Sequence, residues 1–465
     1  MGFRRFASRF GASYWFIPTV MAFLAVLLAG LMIFADTYEG SGWMDNVPWL
    51  YAARPSGARG LLSSIGGSMI TVAGTVFSVT IAAVVYASGQ YGPRLLTNFM
   101  KDRGNQVTLG TFIATFLYCL LVLRTVRSAD EANGYSFVPN MALLVGVVLA
   151  LCSIAVLIFF IHHVPSKIHI NSVIKEIGTG LIHDIDHRFP RRIGRAMDVA
   201  DGEEPVPAAF RRDAKPNDAA NRRQIAIEHT GYIETIDSDD LLDLATDTDL
   251  VLRLQYQPGD FVHAGRTIVE AWPSERCDDA VARKIAATFS VSSARSSLQD
   301  LRFPIDELVE IAARALSPGI TDPFTALTCL DWLGAALSDL AGRDLPSHLR
   351  VDAEDRLRVI AHAETFQSYA DRAFGALVQY CAADMVAALR YLGALGEVAI
   401  NCDDPTRLAI LTRYADRLEE LAVGAMSGYN LSRVRERADD LRRALAEPDY
   451  KRRLRDGTAW LGGTA

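Results

Sequence analysis

The chain has 465 residues, 22% charged and 50% hydrophobic, with a formal net charge of −7. That length allows two or three domains, and the mix excludes a disordered chain, a collagen and a disulfide scaffold. The averages hide a segregation: residues 1–161 hold 10 Lys/Arg and 6 Asp/Glu, whereas the remaining 304 hold 37 and 48, so a +4 third is joined to a −11 remainder.

Four stretches of the first third carry no charge at all: Phe10–Ala35, Gly60–Pro93, Gly104–Leu123 and Ala132–Ile161. A helix needs about 20 apolar residues to cross a ~30 Å hydrocarbon core at ~1.5 Å per residue. All four reach that length, which predicts membrane spans near 14–35, 64–87, 105–123 and 139–161. The apolar run Trp15–Phe34 is longer than the ~7–15 residues of a cleaved signal peptide, so a signal anchor is expected. Loop charge sets the orientation. Arg4, Arg5 and Arg9 precede the first span, and the 94–103 loop is net +2. The loops between spans one and two and between three and four are net −1 and neutral. The pattern predicts cytoplasmic N- and C-termini in the inner (plasma) membrane, with Arg124 awkwardly placed at the outer end of span three. Six cysteines are scattered, two within spans and four in the predicted cytoplasm, so no structural disulfide is expected.

Beyond the spans, residues 162–223 read as a juxtamembrane segment and linker. Ile170, Val173, Ile174, Ile177, Leu181 and Ile185 recur at helical spacing, predicting an amphipathic helix that packs on the soluble part or on the membrane surface. The Arg- and Pro-dotted stretch after it buries little. Residues 224–275 alternate in polarity around the turn Pro258-Gly259-Asp260 and read as a small β-barrel or sandwich module. A short helix from Ser238 is inserted, capped by Asp237 or Ser238. The Pro-Gly-Asp turn, two apolar residues and a glycine are similar to a biotinyl/lipoyl-type hybrid domain. With no lysine between Lys215 and Lys284, carrier chemistry is not expected. Residues 276–447 read as a helical domain. Asp322 and Pro323 serve as N-cap and first residue of one helix, and further helices are expected near 365–400, 405–424 and 430–446. Residues 448–465 read as a tail. The fold class is thus a membrane all-α domain of four helices plus a cytoplasmic α+β region.

The chain carries no phosphate loop, no Gly-x-Ser-x-Gly elbow, no paired-Cys zinc site and no His-Glu-x-x-His helix, so no catalytic residues, metal or cofactor are assigned and no enzyme is expected. Four weaker patterns remain. Gly67, Thr71, Gly74 and Ser78 lie on one stripe of span two, suited either to close helix packing or to lining a polar path. Arg94, Lys101 and Arg103 suit anionic headgroups or entering anions, or simply mark the inner side. His183 and His187 share a helical face near Asp184 and Asp186, where a divalent metal or plain solvation would fit. Six Asp between 237 and 249 lack the central glycine of a calcium loop and read as caps and a solvated face. The acidic remainder argues against nucleic acid as a partner.

Two blocks carry a family resemblance. The first runs from Ala73 through Ser78 and Ala87-Ser88-Gly89-Gln90-Tyr91-Gly92-Pro93-Arg94 to Asp102-Arg103-Gly104-Asn105-Gln106 and Leu109-Gly110-Thr111-Phe112. The second is Ala313-Arg314-Ala315-Leu316-Ser317-Pro318-Gly319-Ile320 with Asp322-Pro323-Phe324-Thr325-Ala326. Together they resemble the bacterial membrane-protein family called domain of unknown function 2254, over nearly the whole chain. Thr321 stands where that pattern leads one to expect Asn. The resemblance implies an integral membrane protein with a large soluble C-terminal region and supplies no catalytic residues. Two functions are expected to compete. One is a homo-oligomeric channel or passive transporter with a cytoplasmic gate. The other is a membrane-anchored sensor or scaffold whose Ser317-Pro318-Gly319 and Asp322-Pro323 region binds a ligand or a soluble partner of unknown identity. A lipid-acting enzyme, with His162, His163, His183 and Asp186 as the available donors, is the least favoured.

Overall fold

The computed structural model describes residues 15–38, 54–91, 102–128, 137–188, 195–196, 206–211, 221–343, 345 and 347–456. They fall into two compact units, Met1–Val173 and Ile174–Ala465.

The first unit is four membrane-length helices: α1 (Phe16–Tyr38), α2 (Pro55–Tyr91), α3 (Arg103–Thr125) and α4 (Asn140–Ile168). All four expected spans are present. The second starts nine residues before the expected 64, with Arg59 inside its second turn. Arginine is itself a good helix former, and its Nη2 reaches the Val126 carbonyl, 2.8 Å away, at the end of α3. Half of α3 is buried, against 17–22% of the other spans, so α3 is the post around which the others stand. Gly110 of α3 makes this possible: a Cβ there would lie 2.6 Å from Met21 Sδ and 3.2 Å from Pro18 Cα of α1. Phe112, Tyr118, Cys119 and Val122 fill the seam with no exposure.

Several polar groups inside the bundle find partners, as lipid favours. Thr115 and Ser153 hydroxyls pair at 3.0 Å, and the Tyr118 hydroxyl donates to the Ala142 carbonyl at 2.8 Å. The Asp36 carboxylate at the end of α1 accepts from the Met141 and Ala142 amides at 3.0 and 2.9 Å. A carboxylate at the positive end of α4 complements the helix dipole. Exposed Phe23, Leu24, Leu31, Val85, Leu151 and Ile158 clothe the outside.

From Ile174 onward α5 (Ile170–Arg188) belongs to the second unit and turns Ile174, Ile177, Leu181 and Ile185 inward, each at most 6% exposed. The amphipathic helix thus packs on protein. Its neighbours are α8 (Arg302–Ala315) and α9 (Pro323–Ala341), and Gly178 gives way to the Trp332 ring. The α+β part holds two sheets. One runs β1 (Arg195–Ala196), β8 (Leu349–Val351), β9 (Leu357–Ile360), β4 (Val251–Leu254), β6 (Thr267–Trp272), β2 (Arg223–Ala226). The other runs β5 (Phe261–Val262), β3 (Gly231–Ile236), β7 (Phe289–Ser292). Every pairing is antiparallel except β4 with β9. Ile225, Ile233, Leu252, Val262, Ile268 and Phe289 meet in one core with α6 (Ser238–Asp247) and α7 (Asp279–Ala287). The sheets share a core like a sandwich and, among the described residues, neither closes into a barrel.

The sheets also draw on chain well beyond 224–275. In β8 and β9 the charged Arg350 and Arg358 stand at 8% and 3% exposure, which masks the apolar pattern of a strand. Arg358 is buried because two carboxylates neutralise it, Asp249 at 2.7 Å and Asp352 at 2.8 Å. Part of the expected linker docks as well, with Phe210 buried on the sheet. The helical part continues through α10 (Phe366–Ala370), a π turn at Asp371–Gly375, α11 (Ala376–Cys381), α12 (Met385–Ile400), α13 (Pro405–Ala425), α14 (Gly428–Ala446) and α15 (Pro448–Asp456). The expected 365–400 helix is therefore divided, Asp384 capping α12 through the Ala387 amide. The expected tail begins as a helix.

Candidate functional site

The second span has two unlike sides. Ala58, Leu62, Ala73, Val76, Thr80 and Val84 are buried against the bundle. The side carrying Gly67, Thr71, Gly74 and Ser78 is turned away from it and exposed, together with Ser64, Ser68 and Thr75. Among the described residues, a Cβ added at Gly67 or Gly74 would meet nothing within 4 Å, so these glycines do not serve close packing among the described helices. Each hydroxyl bonds the carbonyl one turn back: Ser68 to Ser64 at 2.7 Å, Thr71 to Gly67 at 2.9 Å, Thr75 to Thr71 at 3.1 Å, Ser78 to Gly74 at 2.9 Å. Such back-bonding satisfies the hydroxyl proton in lipid while leaving oxygen lone pairs available to a second partner. The result is a weakly polar stripe on an apolar helix, bordered by the exposed Ile70, Phe77, Ile81 and Val85.

At one end of the bundle, Asp102 caps α3 through the Gly104 amide and also bonds His163 Nε2 of α4 at 2.6 Å. A Cβ at Gly104 would strike that ring at 2.6 Å, which explains the glycine. The buried Asn105 amide has no hydrogen-bond partner among the described residues. Arg103 is exposed here, whereas Arg94 and Lys101 lie outside the described residues. His183 is exposed on α5, Asp186 pairs with Arg343 at 2.5 Å, and the His187 side chain lies outside the described residues. Among the described residues no three His, Cys, Asp or Glu groups gather to hold a metal.

The 317–323 motif forms the corner between α8 and α9. The Ser317 hydroxyl bonds the Arg314 carbonyl at 2.6 Å, and the Asp322 amide reaches back to the Ala315 carbonyl at 2.8 Å. The Asp322 carboxylate caps α9, accepting from the Thr325 amide at 3.2 Å and hydroxyl at 2.6 Å. Pro323 opens the helix and Gly319 stands in open space. The corner presents Ile320 and Phe324, 43% and 72% exposed. Two apolar side chains displayed on a rigid corner suit a docking contact.

Two further features escaped the sequence. One is a cleft of about 320 Å³ between α9 and α12, with Asp331, Arg390 and Glu397 on its walls. Arg390 pairs with Asp331 through an Nη2–Oδ2 contact of 2.7 Å. Burial pushes the Glu397 carboxyl up from its ordinary value, Arg390 countering and Asp331 reinforcing. The facing small residues Gly334 and Ala394, whose Cβ positions would stand 3.1 Å apart, were its only sequence signal. The other is a buried charge cluster. Asp300 accepts from Arg295 at 2.5 Å and Arg302 at 3.0 Å, and Arg302 also holds Asp260 at 2.9 Å. This fastens the Pro258-Gly259-Asp260 turn to the start of α8. Gly259, at φ +92°, has Asp300 Oδ2 1.9 Å from where a Cβ would sit.

Four bundled helices of membrane length, continued by an α+β unit, define a multi-pass membrane protein. The chain belongs to the family described as "Predicted membrane protein (DUF2254)", whose model matches residues 11–397. It is 30% identical over 406 residues, 86% of this chain and 74% of the relative, to "Uncharacterized protein Mb1321c" of Mycobacterium bovis. The same figures hold for "Uncharacterized protein Rv1290c" of Mycobacterium tuberculosis. No solved structure matches.

Proposed function

We propose that the protein is a homo-oligomeric channel or passive transporter of the plasma membrane, with the outward face of α2 lining a path between copies. The second unit is its cytoplasmic gate, both termini are cytoplasmic, and the protein is not an enzyme. One observation carries the reading: the Gly67–Thr71–Gly74–Ser78 face points away from its own bundle, with nothing among the described residues within 4 Å of the glycine Cβ positions. A weakly polar, small-residue face is a poor lipid surface and a good helix–helix or water-facing surface. The filled seam around Phe112 and Tyr118 favours a path between chains over one within a chain. The test is the full-length protein reconstituted in liposomes, with its mass in detergent measured in parallel. The expected result is an oligomer that passes ions or small solutes, and Gly74→Leu abolishing flux or assembly. A monomer without flux overturns the reading.

A second reading, a membrane-anchored sensor or scaffold, is favoured by the exposed Ile320 and Phe324 at the 317–323 corner. It predicts that the full-length protein captures a partner or ligand, that Phe324→Asp abolishes capture, and that liposome flux is absent.

A further inference from the structure

Where α1 and α3 end together, the first unit has a groove of about 610 Å³. One wall is apolar and belongs to α1: Val26, Gly30 and Ile33. The head of the groove holds two guanidinium groups, Arg124 in the last turn of α3 and Arg127 just beyond it, both exposed. We propose that this groove binds an anionic phospholipid of the surrounding bilayer, its phosphate on Arg124 and Arg127 and one acyl chain along α1.

The dimensions fit one leaflet. The groove descends α1 from Thr37 to Val26, eleven residues or about 16 Å at 1.5 Å each, close to half of a ~30 Å hydrocarbon core. Its volume is that of a small-molecule site. Gly30 keeps the wall open, since a Cβ there would meet nothing within 4 Å among the described residues. The charges fit as well. Arginine forks match phosphate oxygens in pairs, and a phosphate is the anion found at this depth of a bilayer. Among the described residues, the neighbouring charged groups already have other work. Arg59 bonds the Val126 carbonyl at 2.8 Å, and Asp36 gives its carboxylate to the α4 amides at 3.0 and 2.9 Å. Arg127 is fixed in place by its two-way backbone bridge to Phe137, 3.0 Å each way. In the topology read from loop charge this is the non-cytoplasmic end, so the positive-inside bias does not account for the two arginines.

The test is native mass spectrometry of the delipidated full-length protein titrated with phosphatidylglycerol, with phosphatidylcholine of the same chains, and with inorganic phosphate. The expected result is saturable phosphatidylglycerol binding, about tenfold tighter than phosphatidylcholine, and no competition from inorganic phosphate at equal concentration. Arg124→Gln with Arg127→Gln should reduce phosphatidylglycerol to the phosphatidylcholine level. Gly30→Leu should weaken lipid binding with both arginines in place. Arg127→Lys, which keeps the charge and loses the fork, guards against a misfolded double variant and should lose part of the preference. Equal binding of the two lipids, a preference surviving the double variant, or displacement by inorganic phosphate overturns the proposal.

Discussion

Thr321 sits at φ +52°, a left-handed conformation that is an outlier for a β-branched side chain and routine for Asn. This is the position where the family-like motif led to an expectation of Asn, and the backbone now supplies the reason. Thr321→Asn should stabilise the protein by about 0.5–1 kcal/mol, because the strain is relieved and only a 3.4 Å hydroxyl contact to Pro318 is lost. A rise in Tm of the purified full-length chain checks it; an unchanged or lower Tm refutes it. Asp352 makes a second residue-scale case. Burial opposes its ionisation, yet the Arg358 hydrogen bond, the Arg356 amide and both guanidinium charges prevail and hold its carboxyl down at about 2. A carboxyl held below its unfolded value of ~3.9 adds stability at neutral pH that drains away as pH falls from about 4 toward 2. Asp352→Asn should lower Tm at pH 7, since it leaves the buried Arg358 with Asp249 alone, and should flatten the acid limb over that window. An unaltered acid limb in thermal melts would count against this account.

Elements show which signals a sequence transmits. The spans were legible because a charge-free stretch of some twenty residues has few other uses in a protein, and the helix starts at Asp237 or Ser238 and at Asp322-Pro323 because cap chemistry is local, Asp237 proving to be the first of these caps. The β8 and β9 strands were not legible: Arg350 and Arg358 look like surface residues, and Arg358 is explained only when Asp249, 109 residues away, and Asp352, 6 residues away, are brought to it. The amphipathic pattern of α5 identified a buried face but not its partner. That partner is revealed by Gly178, whose Cβ would lie 2.4 Å from the Trp332 ring. In an isolated helix Gly178→Ala would gain about 0.5–1 kcal/mol. Here it should instead destabilise, because overpacking against an indole costs about 1–3 kcal/mol. Faster amide hydrogen exchange along residues 174–188 is the expected readout. Unchanged or slower exchange would mean that α5 does not depend on this contact.

At the scale of the whole molecule, the small-residue stripe of α2 was legible as a pattern while its direction was not. Sequence periodicity gives a face, and only packing tells whether that face looks at a sister helix or away. Here Gly110 of α3 took the close-packing role, and Gly67 and Gly74 were left outside. A path between copies and a path within each bundle therefore make opposite demands on the same chain. The buried Thr115–Ser153 pair is the polar contact midway along the bundle seam. Replacing both partners by apolar groups of similar shape, Thr115→Val with Ser153→Ala, removes a pair without orphaning either member and should change stability by less than about 1 kcal/mol. If the path lies between copies, that double variant conducts like the parent in liposomes, whereas Ser78→Val on the outward face changes rate or selectivity. If instead the seam is the path, the double variant alters flux and Ser78→Val is silent. The two variants measured side by side thus locate the path by which of them the flux responds to.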